Sequence, residues 1–350
     1  MKAIKYIASL LAGITLFSCD NFEDINTNPD AVTKVSPKLL ATGAIVGLMK
    51  PSKGKNFIYN QMTCKYIGWS EALEGTQYNN FGRESFSGYT SLTNYKLMSE
   101  LTDKDETMNE DKRNAYKGLA LFLKAYRLFE YTLNVGDIPY EGILEGKEGN
   151  LTVAYNTQED VFKFLLNDLD KAHEYFRNAN QTTFDGDPIF GGKVEQWHRV
   201  SNALELRVLI NLSKKINSTD INIKSKFNEI LDRNLLLRSN ADNLQITFST
   251  KEGQLYPFNE SLHSYKQYVM ISGLVIDALK ANEDYRLFYY ANPSEGKLNS
   301  GSQENDWDAY IGIDPSDPID ELKLIADQTK EFKMGNDLSH IDFVHPYKKA

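Results

Sequence analysis

Apolar residues recur three or four positions apart over long stretches of this chain, and that spacing predicts helices. From 112 to 134, Leu119, Phe122, Leu123, Tyr126, Phe129 and Leu133 fall on one stripe, the expected core face of one long helix. Ser36-Pro37 couples a capping hydroxyl to a proline at the first helical position and opens a second helix running to about Lys50. Thr157 and Asp160 resemble a capping box with Asp in place of Glu, ahead of Val161, Phe164, Leu165, Leu169, Ala172 and Phe176. Between Glu195 and about Lys215 the pattern changes. Trp197, Val200, Leu204, Val208 and Leu212 share one face, but Leu206 and Ile210 lie elsewhere on the wheel, which predicts burial on several sides. The only alternating strand pattern is Leu244 to Phe248 (LQITF). Polar, glycine-bearing connections separate the helices at about 135–156, 178–194 and 292–318. Helices in successive pairs without a strict repeat predict a mainly α fold, an irregular α-solenoid with long loops and little β structure.

The first 35 residues follow a different pattern. Lys2 and Lys5 precede an apolar stretch from Ile7 to Phe17, too short to span a bilayer, and the segment reads as a signal peptide over 1–18. Leu16-Phe17-Ser18-Cys19 resembles a bacterial lipobox with a bulky Phe17, so Cys19 is expected to carry the lipid and become the mature N-terminus. A diacylglyceryl cysteine brings two acyl chains, the minimum for stable anchoring. The alternative is an ordinary secreted protein with an incidental cysteine. Residues 19–35, rich in Asn, Asp and Thr and lacking any amphipathic period, read as a lipidated tether, and 36–350 as the helical domain.

Charge and cysteine count narrow the partners. Loss of Lys2 and Lys5 takes the formal net charge from −9 to −11, which argues against nucleic acid or anionic lipid as a partner. Once Cys19 is lipidated only Cys64 remains, so no intramolecular disulfide can form. The 20 Tyr and 18 Phe suit helices packed through rings, and rings left on the surface for a ligand.

Catalytic patterns are weak. Gly186 to Val194 has the glycines of a phosphate loop, but Gly192 displaces the lysine and Val194 lacks the hydroxyl, so a turn is expected. His173, His198, His263, His340 and His345 show no zinc spacing. Asp306, Asp308 and Asp314 do not follow a calcium-loop pattern, and Glu141 with Glu145 is too ordinary a pair in an acidic chain to nominate as a glycosidase couple. No cofactor and no metal are expected.

Three ordered blocks carry a family resemblance: NVGDIPYEG (134–142), YNTQEDVFKFLLNDLDKA (155–172) and DPIFGGKVEQWHRVSNALELRVLINLSKK (187–215). Together with Asn26-Thr27-Asn28-Pro29 they resemble the SusD/RagB family of surface lipoproteins, through Gly136 to Tyr140, Tyr155, Thr157 to Glu159, Asp168 to Ala172, Asp187 to Gly192, Gln196, Trp197, Asn202, Leu204 and Arg207. The resemblance implies tetratricopeptide-like helix pairs and a lipid-anchored place on the outer face of the outer membrane. It implies a SusC-like TonB-dependent barrel as partner, and capture of an oligosaccharide, or in some branches a peptide, without chemistry. Family members are usually longer, so the domain is expected to lack its usual C-terminal part. Physically, Gly136 and Pro139 are expected to form an architectural corner, and Trp197 to pack in the core.

Candidate ligand contacts are rings beside hydroxyl-binding groups. Trp69 and Tyr78, near Glu71, Gln77 and Asn79, form one cluster; Trp307 and Tyr310, near Asn305, Asp306 and Asp308, form another. Core packing competes for all of them, and for Trp69 so does contact with the barrel. Two alternative functions remain open: a lipid-anchored hydrolase of glycosidase type, and a truncated relic that binds nothing.

Overall fold

The structure is a computed structural model, and it describes residues 35–50, 58–69, 78, 83, 85–257 and 268–328. Cys19, the leader, nearly all of the tether, Glu71, Gln77, Asn79, His263, His340 and His345 lie outside the described residues.

Six helices build the larger body: α1 (Pro37–Met49), then, after the short α2 (Tyr59–Thr63) and strand β1 (Ile67–Trp69) of a second lobe, α3 (Thr90–Lys104), α4 (Glu110–Val135), α5 (Gln158–Asn178), α6 (Val194–Asn211) and α7 (Ile223–Asp232). Within the body each helix packs on its successor, and α1 with α4 and α4 with α6 also touch, the near-neighbour pattern of a solenoid. Among the described residues no helix is long and apolar enough to cross a membrane.

The starts follow capping chemistry. Ser36 accepts from the Leu39 N–H at 3.4 Å with Pro37 at the first position, and Asn109 accepts from Lys112 N–H at 2.9 Å, followed by Glu110 and Asp111 at the positive end of α4. Thr157 accepts from Asp160 N–H at 3.2 Å, but the Asp160 carboxylate takes the Thr157 hydroxyl at 2.7 Å instead of reaching the capping backbone. Aspartate is one methylene shorter than glutamate, so the reciprocal box does not close. The exposed N–H of Gln158 is taken by Asp137, at 2.8 Å, from the preceding loop.

The predicted faces hold with specific departures. Leu119, Phe122, Leu123 and Phe129 are buried in the body core and Tyr126 packs against it, whereas Leu133, in the last turn before the chain leaves the helix, is 42% exposed. Trp197, Val200, Leu204, Val208 and Leu212 are buried and Leu206 packs on the core, but Ile210 is exposed. The further buried sides of α6 are mostly polar, with His198, Arg199, Asn202 and Glu205 beside Leu209. LQITF forms no strand. It runs half-buried with no ladder partner among the described residues, and a strand exists only where its amides find one.

Two corners lock the body. Gly136 ends α4 at φ 82°, a region that disfavours side chains, and its N–H returns to Thr132 O at 2.9 Å. Ile138, held extended before Pro139, forms a bridge to Asn156, whose side-chain oxygen accepts from Tyr140 N–H at 2.9 Å. Tyr140 then donates its hydroxyl to Asp168 at 2.6 Å, and Lys124 meets the same carboxylate at 2.8 Å, tying α4 to α5. In the second corner Asp187 accepts from the N–H groups of Ile189 (2.8 Å) and Gly192 (2.9 Å) and from the Trp197 indole (2.8 Å). A Cβ on Gly192, at φ 79°, would sit 1.8 Å from Phe184 O, so only glycine fits. The glycine-rich segment is thus a carboxylate-filled turn, and its aspartate occupies the amides that a phosphate would need.

The second lobe joins distant segments. β1 pairs antiparallel with β2 (Val269–Ile271), Ile67 opposite Ile271 and Trp69 opposite Val269. Helices α8 (Gly273–Ala281), α9 (Leu287–Tyr290), α10 (Glu295–Asn299) and α11 (Ile319–Gln328) follow. Its core gathers Ile58, Met62, Trp69, Ile276, Leu287 and Tyr310.

Candidate functional site

The lobe brings together rings that the sequence places far apart. Trp69 and Tyr310, nominated for separate clusters, belong to one core: they are 1% and 3% exposed, and neither presents a ring face to solvent. Trp69 packs on Tyr268 with centroids 5.6 Å apart. Tyr310 donates its hydroxyl to Glu304 O at 2.7 Å, and burial pushes its phenol upward. Tyr78, half-buried, donates to Asp317 O at 3.0 Å.

Trp307 is placed differently. It opens the short turn Trp307–Ala309 and is half-buried over Phe288, with centroids 4.7 Å apart, and Tyr285, 5.6 Å away at 70°. Tyr285 is 76% exposed, so the pair forms an angled aromatic surface with one ring wide open to solvent. Covering about 100 Å² of such rings yields roughly 2.5 kcal/mol at about 25 cal/mol/Å².

Local chemistry holds both rings in place. Asn282 ends α8, and Glu283 adopts φ 48°. Asp284 accepts from Arg286 through its backbone N–H at 3.0 Å and through its guanidinium, contacts that hold the carboxyl below its usual range. Tyr285 therefore stands on a pinned turn, with buried Leu287 as the anchor behind it. On the other side Asp306 accepts from Gln303 N–H at 2.7 Å, closing the turn that presents Trp307. Exposed Asn305 and Asp308 flank Trp307, with Lys280 3.9 Å from Asp308. These are hydroxyl-binding groups beside apolar faces.

Sequence reasoning missed Tyr285. Its neighbourhood, ANEDYRLFYY (281–290), holds three tyrosines and a phenylalanine behind two acids, but no periodicity separates the exposed ring from the buried leucine. The density of rings in a polar turn was the available sign.

The body holds buried titratable groups of its own. His173 and His198 face each other with ring nitrogens 2.6 Å apart, and burial pushes His198 down to about 3. Glu205, raised to about 7 by burial, is held by Arg233 at 2.7 Å. Asp306 and Asp314 each close their own turns, and among the described residues no group of three or more His, Cys, Asp or Glu is arranged to hold a metal ion.

An irregular stack of helix pairs bearing a ring-rich lobe defines a tetratricopeptide-like protein. The family model SusD-like_2, described as "Starch-binding associating with outer membrane", matches residues 29–334, and the chain belongs to that family. A SusD homologue from Bacteroides fragilis NCTC 9343 is 40% identical with a TM-score of 0.77, covering 86% of this chain and 62% of its own. A Bacteroides vulgatus ATCC 8482 protein, described as an outer-membrane protein with a suggested part in nutrient binding, is 26% identical with a TM-score of 0.72, over 86% of this chain and 63% of its own. A chitin-binding SusD homologue from Flavobacterium johnsoniae shares the fold at 18% identity and TM-score 0.55, over 79% and 56% of the two chains. The chain thus spans about three-fifths of the length of the first of these structures. No curated protein matches it.

Proposed function

We propose that the protein is a cell-surface receptor that captures an oligosaccharide and delivers it to a SusC-like TonB-dependent barrel, held to the outer membrane by lipid on Cys19. The observation that carries this reading is the angled Tyr285–Trp307 pair, flanked by exposed Asn305 and Asp308 on a pinned loop. Pyranose rings have apolar faces and a rim of hydroxyls, and this surface offers rings for the first and amide and carboxylate for the second. Family membership supports the outer-membrane setting and a binding role without catalysis. Of the four ring residues expected to touch ligand, Trp307 is assigned the direct contact, joined by Tyr285; Trp69, Tyr78 and Tyr310 are assigned the support of that surface. Delivery follows if the ligand favours the state in which the receptor closes over the barrel, since a ligand shifts an equilibrium only through unequal affinity for its two states.

Calorimetric titration against a panel of neutral oligosaccharides tests the reading, with product analysis of the same mixtures. Retention of intact ligand, lost in Trp307→Ala, is the expected result. Shortened products would favour a hydrolase, binding of peptides alone would change the ligand class, and silence across both panels would leave a non-binding relic.

A further inference from the structure

A second hollow lies on the body, away from the ring-rich lobe. Its volume is about 620 Å³, and it runs between α5, α7 and the chain at 220–222. Leu166 and Ile221, both buried, give it an apolar floor; Asp170, Asp220 and Glu229 outnumber Lys163 and Lys226 on its walls. That size suits a small oligomer, and the surplus of carboxylates disfavours anions.

Behind the wall lies an unfinished ion network. Glu205 of α6 is 1% exposed; its Oε2 accepts from Arg233 at 2.7 Å, but its buried Oε1 has no hydrogen-bond partner. Lys226 of α7 lies 3.8 Å from that oxygen, and Lys226 is already committed to Asp170 of α5 at 2.5 Å. Arg233 also reaches Asp170 and Glu229, each at 3.2 Å, and Asn202 at 3.0 Å. Three carboxylates therefore share two cations, and His173 and His198, which also feel Arg233, are held toward their neutral forms by burial. A buried carboxylate oxygen left without a hydrogen bond is costly, so the network has room for one more positive charge.

We propose that the hollow binds a ligand ammonium group, which takes the Asp170 carboxylate and releases Lys226 to pair with Glu205. Lys226 needs to move only about 1 Å to reach charge-assisted hydrogen-bond distance from Oε1. Its arrival favours the ionised carboxylate, so any proton on Glu205 passes to solvent as the ligand binds. Burial raises Glu205 to about 7, which places this proton release near neutral pH. The site is independent of the receptor role proposed for the lobe.

Primary amines reach such a site from peptides or from amino sugars, and two probes separate the sources: trilysine amide and a glucosamine trimer, each compared with its fully N-acetylated form. Calorimetry on the whole protein near pH 6.5, in two buffers of different ionisation heat, reads both affinity and proton exchange. At least one free-amine probe is expected to bind about tenfold more tightly than its acetylated form and to release a measurable fraction of a proton. Asp170→Asn should remove that preference; Glu205→Gln should keep it but abolish proton release. Should a variant fail to fold, the comparison of amine with amide and the proton count are both read on the unaltered protein. Equal affinity for acetylated and free forms, absence of binding, or binding without proton release would overturn the proposal.

Discussion

The helical body and the ring-rich lobe use the same residue types to opposite ends. In the body the large rings at the helix contacts are closed over: Trp197 lies between Phe122 and Phe190, and its indole N–H is taken by Asp187. In the lobe the strands have three residues each, the core is small, and Tyr285 stands 76% exposed beside Trp307. An aromatic residue stabilises a fold through the face it hides and binds through the face it shows. Damage to the body should therefore appear as lost stability, and damage to the exposed lobe as lost binding.

Trp197→Ala offers the largest effect. Removing a fully buried indole that also holds the Asp187 turn is expected to cost about 3–5 kcal/mol, read as a lower midpoint in denaturant titration. Ligand affinity per folded molecule should not change. Trp307→Ala sharpens the contrast from the other side, with affinity for the oligosaccharide falling about tenfold or more while unfolding free energy drops by only about 1 kcal/mol. A large stability loss with intact affinity would merge the two regions into one.

A pH series probes the body alone. Glu205 titrates near 7 in the fold against about 4.5 when unfolded, so its contribution is full below about 4.5 and is lost as pH rises to about 7. His198, depressed to about 3, acts oppositely: its contribution is full above about 6.5 and is lost as pH falls toward 3. Glu205→Gln should therefore gain stability relative to the unaltered protein as pH is raised from about 5 to 7, measured by denaturant midpoints at each pH. A constant difference would contradict the raised carboxyl. Ser36→Ala, removing one exposed cap, should cost no more than about 1 kcal/mol, and thermal melting can measure it.

Much of the body was legible because its information is local. Ser36 and Pro37 mark a helix start by chemistry within three residues, Gly136 marks a stop by its φ, and Trp197 lies on a stripe that only a core explains. The lobe resisted because its information is distant. Nothing near Ile67 announces Ile271 as its partner, and LQITF has the better strand pattern but no partner among the described residues. The same distance hid the fate of the candidate rings: Trp69 and Tyr310 fill one core, while Tyr285, unremarked in sequence, holds the open face. Glu205 was unreadable for a related reason, since a helix face reveals that a residue is inside but not which charges from α5 and α7 meet it there.

Hydrogen–deuterium exchange on the intact protein, with and without a saturating oligosaccharide that binds it, compares the two regions in one measurement. The account predicts new protection over 282–290 and 303–310, around Tyr285 and Trp307, with the Asp187 turn unchanged. Protection confined to the helices of the body, with both lobe segments exchanging as before, would contradict it.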